Sequence, residues 1–283
     1  MYISDETLDK FIKEDVPYID LTSLVLKIKG IRGNIKFFTR ENAILCGTEE
    51  AARIFRKLNI DVINLKTSGT QIKKGDILLE GMGNVEDLHI AWKVCQNIID
   101  NFSGIATKTR RMVDEVSSVN PDIAVITTRK SMPGTRELST KAVIDGGAFP
   151  HRLGLSETIL VFKQHLDFLG GINEFVKNIE TFKNKVCEKK ILVEVENIDE
   201  AVKLCKNNID GIQFDKLSPE DLISNVNILR NINPDIVILA AGGINENNAA
   251  KYAKTGVNGI VTSSVYYTKP IDIGCKIKPL HLI

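Results

Sequence analysis

The stretch KKILVEVENIDEAVKLCKNNIDGIQFDKLSPEDLISNVNILRNINPDIVILAAGGI, Lys189 to Ile244, decides the fold. Three short apolar runs, at 190–195, 211–214 and 235–241, alternate with two segments of helical character, at 197–208 and 218–232. Ser218 opens the second of these as a capping-box start closed by Asp221. Strand runs alternating with helical patterns predict parallel strands covered by helices. The runs are too uniformly apolar for antiparallel strands with one wet face.

The same alternation extends in both directions. DIAVIT (122–127), TILVF (158–162) and NGIVTS (258–263) read as further strands, with helices over 170–185 and over 245–256, the latter stopping on Gly256. A closed barrel buries such runs on both faces, and an open doubly wound sheet has the same periodicity. The front of the chain reads differently. A helix over 4–15 has Ser4 as its N-cap, and extended pieces follow at 34–47 and 75–83, so a mixed α/β front domain is expected. Residues 84–119 place Leu88, Trp92, Cys95, Ile98, Ile99 and Phe102 at helical spacing, which predicts two helices meeting near Ser103 and Gly104. The division expected is a front domain over 1–105, joined by 268–283, and a barrel domain over 106–267.

Composition narrows the function. The 283 residues carry 37 Lys and Arg against 36 Asp and Glu, so no global field favours nucleic acid or an anionic membrane. Any selectivity for anions is local. The five cysteines are scattered, without CxxC or His/Cys ligand spacing, and read as buried reduced thiols. No apolar run is long enough to span a bilayer and the N-terminus lacks an apolar signal core, so the expectation is a cytoplasmic protein.

Polar chemistry recurs where each strand run ends. Arg129 and Lys130 follow the first run; Lys163, Gln164 and His165 the second; Glu194 lies near the end of the third; Asp215 follows the fourth; Gly242 and Gly243 follow the fifth; Thr262, Ser263 and Ser264 close the last. In a βα barrel these ends converge on one mouth, where active sites lie. Any one of them is explained by a chain turning into water; six in succession favour a site. Two acids on neighbouring strands suit Mg²⁺ or sugar hydroxyls, and Arg and Lys suit carboxylate or phosphate. The Gly-Gly turn before a helix start suits phosphate, although a tight turn alone also explains it. Between Thr127 and Gly154 the cations Arg129, Lys130, His151 and Arg152 are assigned to an anion site, and Arg136 and Lys141 to an exposed helix. His89 and His281 are isolated. Glu196 reads as solvated or as a support just behind the site, Tyr266 and Tyr267 as packing residues, and residues 108–111 as a solvated or interface helix face.

These residues resemble the type II phosphoribosyltransferases, represented by quinolinate phosphoribosyltransferase. EDVPYIDLTS, SGIATKTRR, TTRKSMPG, GGAFPHRLGLSE, VEVEN, GIQFD, AAGGI and DIGCKI carry the resemblance through nearly the whole chain. It implies an α/β sandwich-like N-terminal domain and an incomplete parallel α/β barrel. It also implies a homodimer, or a dimer-based hexamer, in which one subunit's front domain completes the other's site. The implied reaction is attack of an aromatic nitrogen on C1 of phosphoribosyl pyrophosphate with loss of pyrophosphate, and Mg²⁺ as cofactor. By the resemblance Glu194, Asp215 and Lys130 are catalytic, and Glu194 and Asp215 hold the metal and the ribose hydroxyls. Arg129, Lys130, His151, Arg152, Lys163 and Lys93 bind the acidic substrate and phosphates, and Gly242, Gly243, Thr262 and Ser263 bind the 5′-phosphate.

The departures from the family pattern concern the acceptor. Trp92-Lys93 stands where the quinolinate enzymes have Glu-Arg, Phe162 where they have a substrate-binding lysine, with Lys163 one place along, and Leu239 where they have a glutamate. GGAFPHR replaces GGGVNHR. Losing a partner from a buried charged site costs ~3–5 kcal/mol, which argues against efficient use of quinolinate. The pattern is similar to the ModD-type pyrophosphorylase branch, associated with molybdenum transport, and leaves an undetermined anionic or heteroaromatic acceptor as the expectation. Three alternatives stand beside it: decarboxylating quinolinate phosphoribosyltransferase, a non-catalytic molybdenum-linked ligand-binding accessory, and a barrel aldolase using Lys130 as Schiff base.

Overall fold

The computed structural model of the chain describes residues 1–280, and His281 lies outside the described residues. The front of the chain runs α1 (Asp5–Asp15), α2 (Leu21–Leu26), β1 (Arg32–Thr39), β2 (Ala43–Ile44), α3 (Thr48–Lys57), β3 (Asp61–Leu65), β4 (Gln71–Ile72), β5 (Ile77–Asn84) and α4 (Val85–Ser117). There follow β6 (Ala124–Thr127), α5 (Arg136–Asp145), β7 (Phe149–Pro150), β8 (Ile159–Val161), α6 (Lys163–Leu169) and α7 (Ile172–Lys185). The chain continues with β9 (Ile191–Val195), α8 (Ile198–Lys206), β10 (Gly211–Asp215), α9 (Pro219–Ile232), β11 (Val237–Ala241), α10 (Ala249–Ala253), β12 (Gly259–Thr262) and β13 (Ile273–Pro279). Two compact units result, one of residues 1–110, 132–147 and 267–280, the other of residues 111–131 and 148–266.

In the first unit an antiparallel sheet is ordered β13-β1-β5-β3. Residues of β1 alternate between buried and half-exposed, so Ile35 and Phe37 enter the core beneath α3, where Phe55 lies 6.2 Å from Phe37 between ring centroids. Ser4 caps α1 as expected, accepting from the Thr7 N–H. Two expectations fail here. Residues 85–117 form one helix instead of two, because Gly104 serves close packing and does not break the helix: a Cβ there would lie 2.6 Å from the Lys269 carbonyl oxygen. Ser103 beside it accepts from the Cys46 N–H at 2.9 Å. Lys141 lies on α5, as a helix was expected, but is buried, with Nζ 2.8 Å from Glu49 and 2.5 Å from Glu50. Two carboxylates compensate its desolvation.

The second unit holds a seven-stranded, wholly parallel sheet in the order β7-β6-β12-β11-β10-β9-β8. The strands from β8 to β12 follow chain order in a single direction and β6 and β7 continue past β12. There is no switch point of the kind a doubly wound sheet has. The sheet therefore curls as an incomplete barrel, with its opening between the chain neighbours β7 and β8. Its concave face is filled by Leu160, Leu192, Leu239, Ala241 and Val261, against which Ile126, Phe162 and Val237 pack. Ser218 caps α9, accepting from the Asp221 N–H and donating to the Asp221 carboxylate. The short strand β7 and helix α6 were not anticipated; they are too brief to leave a periodic signal.

Candidate active site

The pairing registers set Glu194 and Asp215 on the concave face. Glu194 is opposite Gln213 between β9 and β10, and Asp215 lies two residues beyond Gln213, so all three point the same way. Gln213 is buried and its Nε2 donates to Glu194 Oε2 at 2.5 Å. Burial raises the Glu194 pKa above the usual carboxylate value and the charge of Asp215 adds to the rise, while the hydrogen bond from Gln213 and the cations Lys130 and Lys216 oppose it. Asp215 Oδ2 is 2.9 Å from Nζ of Lys216, an exposed side chain on a backbone with positive φ of 60°.

The cations sit at the ends of the adjoining strands. Arg129 and Lys130 follow β6, and the Lys130 N–H is held by Thr128 Oγ1 at 3.2 Å. His151 and Arg152 follow β7, with the His151 N–H donating to the Thr127 carbonyl at 2.9 Å. Burial lowers the Arg152 pKa and the neighbouring Arg129 charge lowers it further. Burial likewise lowers His151, helped by Arg152 and opposed by a contact with Gln213, which favours the neutral imidazole. Arg129, Lys130, Arg152 and Lys163 form no ion pair with a carboxylate among the described residues.

Gly242 and Gly243 follow β11 with φ of +90° and +72°. At Gly242 a Cβ would fall 2.6 Å from the Lys216 nitrogen and 2.7 Å from Asp215 Oδ1, so glycine is required for this turn to sit against the acid. The helix start anticipated beside the pair lies further on, at Ala249, and the intervening loop is held by Asn245 and Asn248, which donate to the Gly243 carbonyl at 3.1 and 3.2 Å. Thr262 is buried; its hydroxyl donates to the Ile244 carbonyl at 2.7 Å and accepts from the Ser264 N–H at 3.0 Å. That hydroxyl braces the turn, and half-buried Ser263 is the neighbour whose side chain is less committed.

Strand β8 ends at Val161, so the chain is already turning when it reaches the displaced lysine. Phe162 caps α6 and packs on the concave cluster, while Lys163 is the first helical residue and is exposed. Phe162 and Leu239, both departures from the family pattern, thus meet the same apolar cluster. Lys93 belongs to the first unit, on α4, with Nζ 4.4 Å from the Trp92 ring centroid. Tyr266 donates to the Thr128 carbonyl at 3.0 Å, in keeping with a packing role. The sequence reading passed over Gln213, whose signal was a lone amide inside an apolar strand, and Lys216.

The two carboxylates fit a hard divalent cation that keeps water and takes phosphate oxygens as its other ligands. No group of three or more His, Cys, Asp and Glu able to hold a metal exists among the described residues, so an ion here would depend on a phosphate-bearing ligand for its remaining coordination. Among those residues no helix is long and apolar enough to cross a membrane.

The chain matches the family model described as quinolinate phosphoribosyl transferase, N-terminal domain, over residues 20–103, and the corresponding C-terminal domain over residues 105–276. It is 36% identical over 273 residues to a Pasteurella multocida protein named pyrophosphorylase ModD, covering 96% of this chain and 97% of the relative. It is 30% identical over 281 residues to a Methanothermobacter thermautotrophicus protein named as a carboxylating nicotinate-nucleotide pyrophosphorylase, covering 97% and 99%. Among solved structures, the nicotinate-nucleotide pyrophosphorylase from Francisella tularensis superposes with a TM-score of 0.87 at 28% identity, covering 98% of each chain.

Proposed function

The chain belongs to the quinolinate phosphoribosyltransferase family, and from that premise we propose that it transfers the phosphoribosyl group of phosphoribosyl pyrophosphate to a small anionic or heteroaromatic acceptor. The observation that carries the reading is the contrast within one barrel mouth: Arg129 and Arg152 lie at the ends of adjoining strands without a carboxylate ion-pair partner, and burial together with the Arg129 charge lowers the Arg152 pKa, beside the carboxylate pair Glu194 and Asp215. Unpaired guanidinium groups call for an anionic ligand, and paired carboxylates call for hydroxyls or a cation.

In this reading the acceptor nitrogen forms a bond to C1 of the ribose as the bond from C1 to the pyrophosphate oxygen breaks, and the electron pair leaves with pyrophosphate. Glu194 and Asp215 orient the ribose by its hydroxyls. Their negative charge also favours the positive character that develops at C1. Arg129, Lys130 and Arg152 hold the acidic groups of acceptor and pyrophosphate, with neutral His151 as a hydrogen-bond partner. The Gly242-Gly243 turn and the segment after Thr262 offer backbone and the Ser263 hydroxyl to the 5′-phosphate. Mg²⁺, bound by Glu194 and Asp215, would supply charge neutralisation to the departing pyrophosphate. No side-chain nucleophile is needed. A homodimer bringing Lys93 of one subunit to the other's mouth is part of the proposal.

A second reading, quinolinate as acceptor, is favoured by the name of the Methanothermobacter relative and by the cluster of Arg129, His151 and Arg152. Phe162 and Leu239 oppose it, because they present hydrocarbon within the concave cluster. The test is titration of phosphoribosyl pyrophosphate with Mg²⁺ by calorimetry, followed by an acceptor screen read by pyrophosphate release. Absence of binding by the unaltered protein overturns the proposal; nicotinate mononucleotide formed from quinolinate selects the second reading.

A further inference from the structure

Gln213 is a buried carboxamide in the middle of an apolar strand, only 4% exposed, and its amide oxygen is without a hydrogen bond. Its Nε2 donates to Glu194, but Oε1 is buried with no hydrogen-bond partner. Both ring nitrogens of His151 are in the same condition, although the imidazole contacts the carboxamide. An unsatisfied buried acceptor costs about 1–3 kcal/mol; the His151 imidazole in contact with the carboxamide can serve one lone pair of this oxygen at most, and the second is left for a ligand donor.

The surroundings specify the donor. Val161 is paired with Val193, so Phe162 comes alongside Glu194 just past the end of β8; Leu239 is paired with Gln213 on the opposite side. The row across the concave face therefore reads Phe162, Glu194, Gln213, Leu239. A carboxylate facing this row would meet hydrocarbon, a like charge and a carbonyl oxygen; the cations that act on the row, Lys130 and Lys216, lie outside it and already balance Glu194. An N–H would meet an acceptor, and a flat ring would find an aromatic neighbour in Phe162.

We propose that Gln213, together with Phe162, determines acceptor specificity: its carboxamide oxygen accepts a hydrogen bond from an N–H on the edge of a flat heteroaromatic acid that carries no second carboxylate at that edge. The inference rests on the phosphoribosyl-transfer reading and names the class of acceptor within it. One carboxylate of the acceptor goes to Arg129 and Arg152. The ring edge bearing the donor faces Gln213. Sites built to hydrogen-bond a ligand group discriminate strongly against analogues lacking it, because the protein's own polar group is then left unpaired.

The test uses two probes with the same pyridine ring and the same 3-carboxylate, 2-aminonicotinate and quinolinate, which differ in carrying an amino group or a carboxylate at position 2. Each is titrated into the full-length protein with Mg²⁺ and phosphoribosyl pyrophosphate at 0 °C, or with a non-reacting carbocyclic analogue of that donor if turnover interferes. The unaltered protein should bind 2-aminonicotinate at least about tenfold tighter than quinolinate, a difference of about 1.4 kcal/mol. Gln213→Met, close in volume and without the acceptor oxygen, should reduce the ratio of the two affinities to near one, and Phe162→Lys should invert it. Using the ratio cancels any effect that either variant exerts through Glu194. Circular dichroism and a cooperative thermal transition report an intact fold for each variant; should Gln213→Met not fold, Gln213→Leu and Phe162→Lys supply the comparison. A protein that binds phosphoribosyl pyrophosphate but prefers quinolinate, binds neither probe, or keeps its preference in the Gln213 variant overturns the inference and leaves the transferase reading standing. Failure to bind phosphoribosyl pyrophosphate overturns both.

Discussion

Glu194 and Asp215 are diagonal neighbours on one face of paired parallel strands, since Glu194 is in register with Gln213 and Asp215 lies two residues further along. Their charges oppose one another across a partly dry surface, and Glu194 responds with a raised pKa, to which burial contributes most. Such a pair is unfavourable for stability and favourable for binding. Glu194→Gln and Asp215→Asn should each weaken binding of Mg²⁺ with phosphoribosyl pyrophosphate by about 10- to 100-fold, equivalent to roughly 1.4–2.8 kcal/mol. Neither should lower the thermal midpoint, because each removes repulsion while leaving an oxygen for its hydrogen bond. Calorimetry and thermal denaturation on the same samples check both halves; lost stability with unchanged binding would assign the pair to the scaffold.

Gly242 ties the phosphate-side turn to that acid. Its φ of +90° disfavours any side chain, and a Cβ would intrude on both the Lys216 backbone and Asp215 Oδ1. Gly243 has a positive φ too, but nothing lies within 4 Å of where its Cβ would be. Gly242→Ala should therefore destabilise by roughly 1–3 kcal/mol and displace Asp215, reducing affinity for phosphoribosyl pyrophosphate at least tenfold. Gly243→Ala should show only the backbone strain, about 1 kcal/mol, with a smaller effect on binding. Comparing the two by denaturation and calorimetry separates strain from steric displacement. Equal losses of affinity would show that Asp215 is not the element disturbed.

What the sequence revealed follows from how each feature is encoded. The parallel strands were legible because burial on both faces leaves continuous apolar runs, and their termini were legible because turning into the mouth brings in polar residues. Gln213 was hidden by the same rule, since one amide does not interrupt a strand of Gly, Ile and Phe. Lys141 was misjudged because its partners, Glu49 and Glu50, lie over ninety residues earlier and no local pattern announces a buried triad. Gly104 was mistaken for a break because sequence shows the absence of a side chain but conceals the carbonyl of Lys269 that occupies its place. The strand order that distinguishes a curled barrel from a doubly wound sheet is a long-range property, and periodicity carries none of it.

Asp100, on α4, gives the first unit a dependence on pH. Burial raises its pKa to about 7, against the stabilising hydrogen bond from the Ile273 N–H, and Oδ1 is buried without a partner. The folded state thus binds this proton more tightly than the unfolded chain, whose aspartate titrates near 3.8. The contribution to stability is fully present below about pH 4 and is lost as pH rises to about 7. Solvent screening of a half-exposed group reduces the effect to about 1 kcal/mol, or about 2–3 °C in the thermal midpoint of a chain this size. Asp100→Asn mimics the protonated acid, so it should raise the midpoint by that amount at pH 8 and change it little at pH 4. Thermal denaturation across pH 4–8 on both proteins checks this; a shift of equal size at both ends would mean that Asp100 acts through packing, with no part played by its proton.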